Sequence, residues 1–184
     1  MSTVFIVVGH NASGKTYVSK KLAKDLPVEH INGDDYRNFI IKHYRYFSKV
    51  DISLRTERGA QLSQLTIDYR FQLLKTLLES GQDIIFDGSG ATVEWRKKII
   101  TKAKNVDKSA RVVIIYTAIT EESLIKRLDE RDIQQLGSEW REHYTSFKRE
   151  LFEIPSLSEA DGLLIYNQTN YKQVLKEARS CLET

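Results

Sequence analysis

The motif Gly9–Thr16, which reads Gly-His-Asn-Ala-Ser-Gly-Lys-Thr, restricts the fold of this chain more than any other feature. It fits the pattern G-x-x-x-x-G-K-S/T, in which the glycines let backbone N–H groups close around phosphate oxygens. The apolar run Thr3–Val8 predicts a strand before it, and the periodic segment Gly14–Asp25 predicts a helix after it. The sequence therefore predicts a β-loop-α unit that holds phosphates at a helix N-terminus.

Apolar runs bounded by turn residues alternate with helical segments along the rest of the chain. Further strands are predicted at Val28–Ile31, Asp83–Phe86, Arg111–Thr117 and Gly162–Tyr166. Further helices are predicted at Tyr36–Tyr46, Ser53–Ser80, Val93–Lys104, Glu121–Gln135, Ser138–Phe152 and Tyr171–Leu182. Five short strands that alternate with helices predict an α/β fold, in which helices cover both faces of a parallel sheet and ligands bind beyond the C-terminal strand ends.

The length and composition fit one globular domain over residues 1–184. The chain has 184 residues, 41% hydrophobic and 29% charged, and can bury a core without metal or disulfide staples. No segment approaches the run of about 20 apolar residues that a bilayer requires, and the first apolar run is too short for a signal peptide. We therefore expect a cytoplasmic protein without a membrane partner. The net charge of +3 permits an anionic partner without requiring one.

The chemistry of the glycine-rich motif indicates ATP and Mg²⁺ as ligands. Lys15 can reach the β- and γ-phosphates, and the hydroxyl of Thr16 is suited to ligate the Mg²⁺ that bridges them. The other expected nucleotide contacts in this segment are Gly9, Asn11, Ala12, Ser13, Gly14 and Tyr17. A phosphate loop serves motors, switches and kinases alike, so the other strand ends must indicate the reaction.

Carboxylates follow two further predicted strands. Asp34 and Asp35 come after the second strand, where a carboxylate could accept a proton from an attacking hydroxyl while Arg37 holds the acceptor. The alternative for one of this pair is to cap the next helix. Asp87 ends an apolar strand, a position typical of a carboxylate that holds magnesium, and its alternative is to initiate the turn at Gly88.

Two arginines in a charged helical segment are candidates for contacts with the phosphates. Arg127 and Arg131 lie one helical turn apart and would share a face towards the phosphates if their helix borders the site. The alternative is a solvated helix in which they pair with Asp129 and Glu130.

The segment Tyr36–Phe47 interleaves aromatic and basic residues, a composition compatible with stacking on bases and with phosphate contacts. Core packing is the alternative. Phe39, Ile40, His43 and Phe47 lie at helical spacing and are predicted to face inward.

Taken together, these motifs resemble P-loop kinases of the polynucleotide 5′-hydroxyl kinase and zeta-toxin type. The likeness runs from about residue 3 to residue 150 and implies a nucleoside-monophosphate-kinase-like sheet in the order 2-3-1-4-5. The stretch Ile31–Arg37 is similar to the segment that carries the general base and a substrate arginine in this family. The resemblance therefore implies that Asp34 is the base, with Arg37 and Asp35 as acceptor contacts.

The resemblance also assigns roles further along the chain. The loop after Asp87 resembles the Asp-Thr-Asn loop of the family, and Arg96 on the next helix resembles one of its paired arginines, which implies an acceptor contact. The segment from Arg127 resembles the lid helix, with a lid region at about residues 127–138. Arg131 then becomes the transition-state arginine and Arg127 a nucleotide contact.

The activity implied by this resemblance is transfer of the γ-phosphoryl group of ATP to a hydroxyl acceptor. The favoured acceptor is the 5′-hydroxyl of a polynucleotide or nucleoside, or a hydroxyl on a modified base. Two alternatives stay open: a small-molecule kinase acting on a sugar nucleotide, antibiotic or metabolite, and a non-enzymatic interaction module controlled by the nucleotide.

Overall fold

The computed structural model describes residues 1–50, 56–88, 90–130 and 152–183. Five parallel strands form its sheet: β1 (Thr3–Val8), β2 (Glu29–Asn32), β3 (Ile84–Asp87), β4 (Arg111–Thr117) and β5 (Gly162–Tyr166). Their order is β2-β3-β1-β4-β5, and every pairing is parallel. The fold class and the strand order predicted from the sequence are confirmed.

Helices cover both faces of this sheet. They are α1 (Lys15–Asp25), α2 (Gly33–His43), α3 (Glu57–Glu79), α4 (Val93–Val106), α5 (Glu121–Leu128) and α6 (Tyr171–Leu182), with a short 3₁₀ helix at Leu157–Glu159. The predicted helix Ser138–Phe152 and the end of the predicted helix Glu121–Gln135 fall on residues 131–151, outside the described part. In the described ranges, no helix combines the length and the apolar character that crossing a membrane would need.

Polar side chains mark the helix starts, and the predicted starts of α4 and α5 agree with the structure. Thr56, Thr92 and Thr120 cap α3, α4 and α5, each accepting a hydrogen bond from a backbone amide of the first turn. Asn32 caps α2 in the same way, because its Oδ1 accepts from the amide of Asp34 at 2.9 Å. The helix therefore begins at Gly33, three residues before the predicted start.

The core lies on both sides of β1, whose six residues are all buried. Alternate strand residues face opposite layers. Val4, Ile6 and Val8 pack with the layer that includes α3 and α4, whereas Phe5 and Val7 pack with the layer that includes α1 and α6. This two-sided burial explains why β1 and β4 appear in the sequence as continuous apolar runs.

The packing of α2 differs from the prediction. Of the four residues expected to face inward, Ile40 is buried, but half of the surface of Phe39 is exposed and His43 is exposed as well. The prediction for Phe39 and His43 is wrong, because α2 rests against α3 along a narrow stripe and its remaining faces meet solvent. Cys181 is buried on the inner face of α6.

The structure contradicts the predicted role of Arg96 as an acceptor contact. It is fully buried on α4, where Nε donates to Oε2 of Glu159 at 2.6 Å and Nη2 donates to Oε1 at 3.0 Å. Nη1 donates to the carbonyls of Gly90 and Glu153. Because these groups use its donors in the interior, Arg96 joins α4 to the loop before β5 and is absent from the cleft lining formed by described residues.

We expect Arg96→Met to lower the free energy of unfolding by about 3 to 5 kcal/mol, because it leaves the Glu159 carboxylate without its buried partner. Urea titration measures this loss. Lys97→Met, a change at the exposed neighbouring position, is the control and should stay within about 0.5 kcal/mol of the wild type. Equal losses in the two variants would contradict a structural role for Arg96.

The same ion pair predicts a pH dependence of stability. Burial raises the pKa of Glu159, but the hydrogen bonds from Arg96 and from the Ser156 amide, with the charges of Arg96 and Lys97, hold it below its ordinary value of 4.5. The carboxylate therefore stabilises the fold above the pKa of the unfolded chain, and this contribution is lost as pH falls through the lower folded pKa.

Acid urea titrations should show this effect as a difference between variants. From about pH 6 to about pH 3, the free energy of unfolding of the wild type should fall more steeply than that of Glu159→Gln. Glu94→Gln on the exposed side of α4 should keep the wild-type slope. A Glu159→Gln protein with the wild-type slope would show that the pair does not titrate with folding.

Candidate active site

A cleft of about 730 Å³ opens where the carboxyl ends of β1, β2 and β3 meet. The register places Asp87 of β3 beside Val7 of β1 and Asn32 of β2, so the loops that follow these strands start at one edge of the sheet. The described residues that line the cleft are Asn11, Ala12, Gly14, Lys15, Thr16, Tyr17, Asn32, Gly33, Asp34, Arg37, Arg70, Asp87, Gly88, Arg127 and Glu130.

The loop between β1 and α1 has the backbone that the glycine-rich motif predicts. Gly14 caps α1 with a φ of 95°, a left-handed conformation that favours glycine. A Cβ at Gly9 would collide with the side chains of Thr117 and Ser13. Both glycines of the motif are therefore needed for the loop to pass close over the sheet edge.

Ser13 and Thr117 anchor this loop to the sheet. Their hydroxyl oxygens lie 2.5 Å apart in the buried interior, and Thr117 Oγ1 also donates to the Val8 carbonyl at 3.1 Å. Gly9 and Ser13 are thus buried below the loop, and neither lies among the described residues that line the cleft. Among the predicted nucleotide contacts, these two shape the loop from beneath.

Lys15 lies at the cleft wall, where Nζ donates to the carbonyl oxygens of Gly9 at 3.0 Å and His10 at 2.7 Å. This position keeps the ammonium group at the mouth of the loop. Thr16 lines the same wall one residue further into α1. The structure therefore brings together the lysine and the hydroxyl that the motif assigned to phosphate and metal.

Asp34 and Arg37 line the cleft from the N-terminal part of α2. Arg37 Nη1 donates to Asp34 Oδ1 at 2.9 Å, and the Asp34 side chain remains largely exposed. Because Asn32 caps the helix, Asp34 is available for another role. Asp35 forms an exposed ion pair with Lys20 at 3.4 Å and is not among the described residues that line the cleft, so its role as an acceptor contact stays a prediction.

Asp87 closes the floor of the cleft. Its side chain is almost fully buried, and Oδ2 has no hydrogen-bond partner among the described residues, while His30 Nε2 lies 3.6 Å away. A buried carboxylate oxygen without a donor is suited to a hard cation. Asp87 and Thr16 line one cleft, so these residues fit the Mg²⁺ that a P-loop fold implies, directly or through water.

Arg127 lies against the phosphate loop and is held there by a residue that the sequence analysis missed. Its Nη1 donates to Gln168 Oε1 at 2.9 Å and approaches the Ala12 carbonyl at 3.4 Å. Gln168 Nε2 donates to the carbonyls of Ser13 and Ala118. Gln168 also has a φ of 76°, unusual for a residue other than glycine.

Arg127 bonds to the loop, and the Glu130 carboxylate lies 4.0 Å from Lys126 Nζ. Arg131, the predicted transition-state arginine, lies outside the described residues.

Arg70 of α3 is a second residue that the sequence analysis missed. It is buried, it lines the cleft, and its Nη2 donates to the Asp87 carbonyl at 2.8 Å. Burial lowers the pKa of Arg70 from its ordinary value to about 10, while the charges of Asp87 and Asp34 oppose this shift and that of Arg37 adds to it. In the sequence, the only sign of this role is that Arg70 stands at a position of α3 where the helical spacing predicts a buried, apolar residue.

Comparison with protein families decides where the chain belongs. The family model described as an AAA domain matches residues 4–146, more than half of the chain. The chain belongs to this AAA-domain family. The matched part of the AAA domain contains the phosphate loop, Asp34, Asp87 and Arg127.

Relatives and structural neighbours of this AAA-domain chain bear kinase names. 6-Phosphofructo-2-kinase/fructose-2,6-bisphosphatase 3 from Rattus norvegicus is 33% identical over 117 residues, which cover 59% of this chain and 20% of the relative. A putative kinase from Chloroflexus aurantiacus superposes with a TM-score of 0.79 at 20% identity, covering 99% of this chain and 96% of that chain. A chain of the Pnkp1/Rnl/Hen1 RNA repair complex superposes with a TM-score of 0.59 at 19% identity, covering 84% of this chain and 48% of that chain.

These comparisons establish the kinase-like P-loop fold of the AAA-domain chain and its relationship to kinases. Such a fold implies the use of ATP with Mg²⁺. The chain spans about a fifth of the length of the curated relatives it matches.

We expect Gln168→Asn to weaken ATP binding about tenfold, or about 1.4 kcal/mol, because the shorter amide no longer reaches both Arg127 and the loop carbonyls. Asparagine tolerates the positive φ at this position, so backbone strain does not confound the result. Calorimetric titration with ATP measures the change. Gln173→Asn, at an exposed position of α6, is the control and should bind like the wild type; equal affinities in both variants would contradict this role.

Proposed function

We propose that this chain is an ATP-dependent phosphotransferase that moves the γ-phosphoryl group of ATP to a hydroxyl on an acceptor molecule. One observation carries the proposal: the lysine of the phosphate loop and a largely exposed carboxylate paired with an arginine line the same cleft. A nucleotide switch needs the phosphate loop, but it does not need a candidate base in the same cleft.

In this mechanism the chain contributes position and charge. The amides of the phosphate loop and Lys15 hold the β- and γ-phosphates, and Arg127 supports the loop from its other side. Arg37 orients the acceptor, and Asp34 Oδ accepts the proton of the attacking hydroxyl. Mg²⁺ held near Thr16 and Asp87 neutralises phosphate charge when it is bound. Arg131, in a lid region at about residues 127–138, is proposed to stabilise the charge of the transition state.

The first candidate acceptor is the 5′-hydroxyl of a polynucleotide or nucleoside, or a hydroxyl on a modified base. Exposed rings on α2 and α3 support it. The rings of Tyr36 and Tyr69 stack with 3.6 Å between centroids at 8°, and Phe39 is half exposed on the same side of α2 as His43, with a centroid distance of 4.4 Å. Such rings offer stacking surfaces to bases beside the helix that carries Asp34.

A small-molecule acceptor is the second candidate. The support is the identity with a curated relative whose name describes a kinase acting on a phosphosugar. Salt separates the two acceptor classes, because a polymer contacted through several phosphates loses affinity steeply with added salt and a compact acceptor does not.

We expect Asp34→Asn to lower phosphoryl transfer by about 10² to 10⁴-fold, the usual contribution of a general base, while ATP affinity stays within about twofold. Asp35→Asn is the matched control: it makes the same change in charge one residue away, at a carboxylate paired with Lys20, and should keep nearly full activity. Transfer is measured with γ-labelled ATP and ATP affinity by calorimetry. Full activity of Asp34→Asn would show that the base assignment is wrong.

The activity itself is tested by incubating the wild type with γ-labelled ATP and a panel of acceptors. The panel contains a 5′-hydroxyl oligonucleotide, nucleosides, sugar nucleotides and sugar phosphates. Labelled product identifies the acceptor class. Tight ATP binding without a labelled product across the panel would favour the third candidate, a nucleotide-controlled interaction module.

A further inference from the structure

Arg70 lies in the floor of the cleft and has no part in the transfer steps described above. It exposes 7% of its surface, on the inner side of α3. Gly33 and Gly88 flank it, and a Cβ at either position would collide with the Arg70 side chain. Because Gly33 and Gly88 have no side chains, the Arg70 guanidinium has room in the floor of the cleft.

The hydrogen bonding of Arg70 is incomplete. Nη2 donates to the Asp87 carbonyl, and the guanidinium carbon lies 4.2 Å from the ring centroid of Phe86. Nε is buried, and no described residue accepts from it. A guanidinium has five N–H donors. In residues 1–50, 56–88, 90–130 and 152–183, Arg70 takes part in no ion pair.

Arg96 shows what a purely structural buried arginine looks like in the same protein. Arg96 is fully buried, and both oxygens of Glu159 and the carbonyls of Gly90 and Glu153 satisfy its donors. Arg70 faces a cleft that solvent and ligands can enter, with a neutral carbonyl as its partner. The carboxylates of Asp87 and Asp34 act on Arg70 through their charge, but neither forms an ion pair with it among the described residues. An oxyanion in the cleft would therefore supply acceptors for its unused donors.

Arg37 provides a second guanidinium at the same wall. One of its nitrogens pairs with Asp34, but its Nε is also buried and no described residue accepts from it. The two arginines line one cleft, and the charge of Arg37 acts on Arg70. Two planar donor groups with buried, unused N–H bonds match the oxygen atoms of a phosphate or a carboxylate.

We infer that Arg70, together with Arg37, forms an anion subsite that binds a phosphate or carboxylate group of the acceptor itself. This inference rests on the proposed function and adds the chemical class of the substrate: a hydroxyl compound that already carries an oxyanion. Binding of that group at the floor of the cleft holds the acceptor beside Asp34, whose carboxylate pairs with Arg37. Arg70 is the residue that selects anionic over neutral acceptors.

The test measures anion binding after the phosphate loop has been filled. The full chain is saturated with Mg²⁺ and the β,γ-imido analogue of ATP, and inorganic phosphate is then titrated in a calorimeter, with acetate in a parallel titration. We expect saturable binding of phosphate or acetate, and at least a tenfold loss of that affinity in Arg70→Gln. The anion that binds more tightly identifies the oxyanion class.

Arg58→Gln is the matched control, because Arg58 lies on α3 about 18 Å before Arg70 and contacts the exposed Tyr46 ring. It should bind the anion like the wild type. Arg70→Lys keeps a cation and an aliphatic stem over Phe86, so it should lose less affinity than Arg70→Gln. If Arg70→Gln shows no thermal unfolding transition and so does not fold, the anion affinity of Arg70→Lys is compared with that of Arg58→Gln instead. A lower affinity in Arg70→Lys supports the subsite.

The outcomes separate this subsite from the proposed function. Binding of the ATP analogue without any binding of phosphate or acetate would overturn the subsite and leave the phosphotransferase proposal standing. The subsite would also be overturned if the Arg70 variants bound the anion like Arg58→Gln. It would likewise be overturned if the ATP analogue abolished anion binding, because the anion would then occupy the phosphate loop. Failure of the ATP analogue to bind would overturn both.

Discussion

Strand β1 is paired along its length on both sides, with β3 on one edge and β4 on the other, and it is buried on both faces. Because all of these pairings are parallel, the carboxyl ends of the strands meet at one edge of the sheet. The phosphate loop leaves β1 at that edge, Asp87 ends β3 beside it, and Asn32 starts α2 next to Asp87. Every residue proposed for the reaction depends on this shared edge.

Buried polar groups then divide into two kinds. The Ser13–Thr117 hydroxyl pair and the Arg96–Glu159 ion pair are satisfied within the chain, and they stabilise the loop and the joint between α4 and the loop before β5. Six buried side-chain atoms of the described residues lack hydrogen-bond partners. Four of them belong to Asn32, Arg37, Arg70 and Asp87, which line the cleft, whereas those of His30 and Trp95 lie outside its lining. Since unsatisfied buried groups are unfavourable, their concentration along one cleft indicates where cation and anion ligands bind.

Local signals in the sequence predicted most of the fold. Four of the five strands were predicted from runs that stop directly before glycine, asparagine or aspartate, and β4 was predicted from its β-branched residues. The phosphate loop was predicted because its glycines meet a specific backbone requirement. The start of α2 was predicted less well, because two aspartates and an asparagine compete for one cap. The exposure of Phe39 could not be predicted from spacing, since only the position of α3 determines which stripe of α2 is covered.

The sequence by itself determined the chemistry at the strand ends: a lysine and a threonine after β1, Asp34 and Arg37 after β2, and Asp87 after β3. Tertiary structure decided which arginines line the cleft. Arg96 is buried against Glu159, 63 residues away, whereas Arg70 reaches the cleft because two glycines from other elements leave space for it. Such roles depend on contacts between residues distant in the chain, which the spacing of neighbouring residues does not specify.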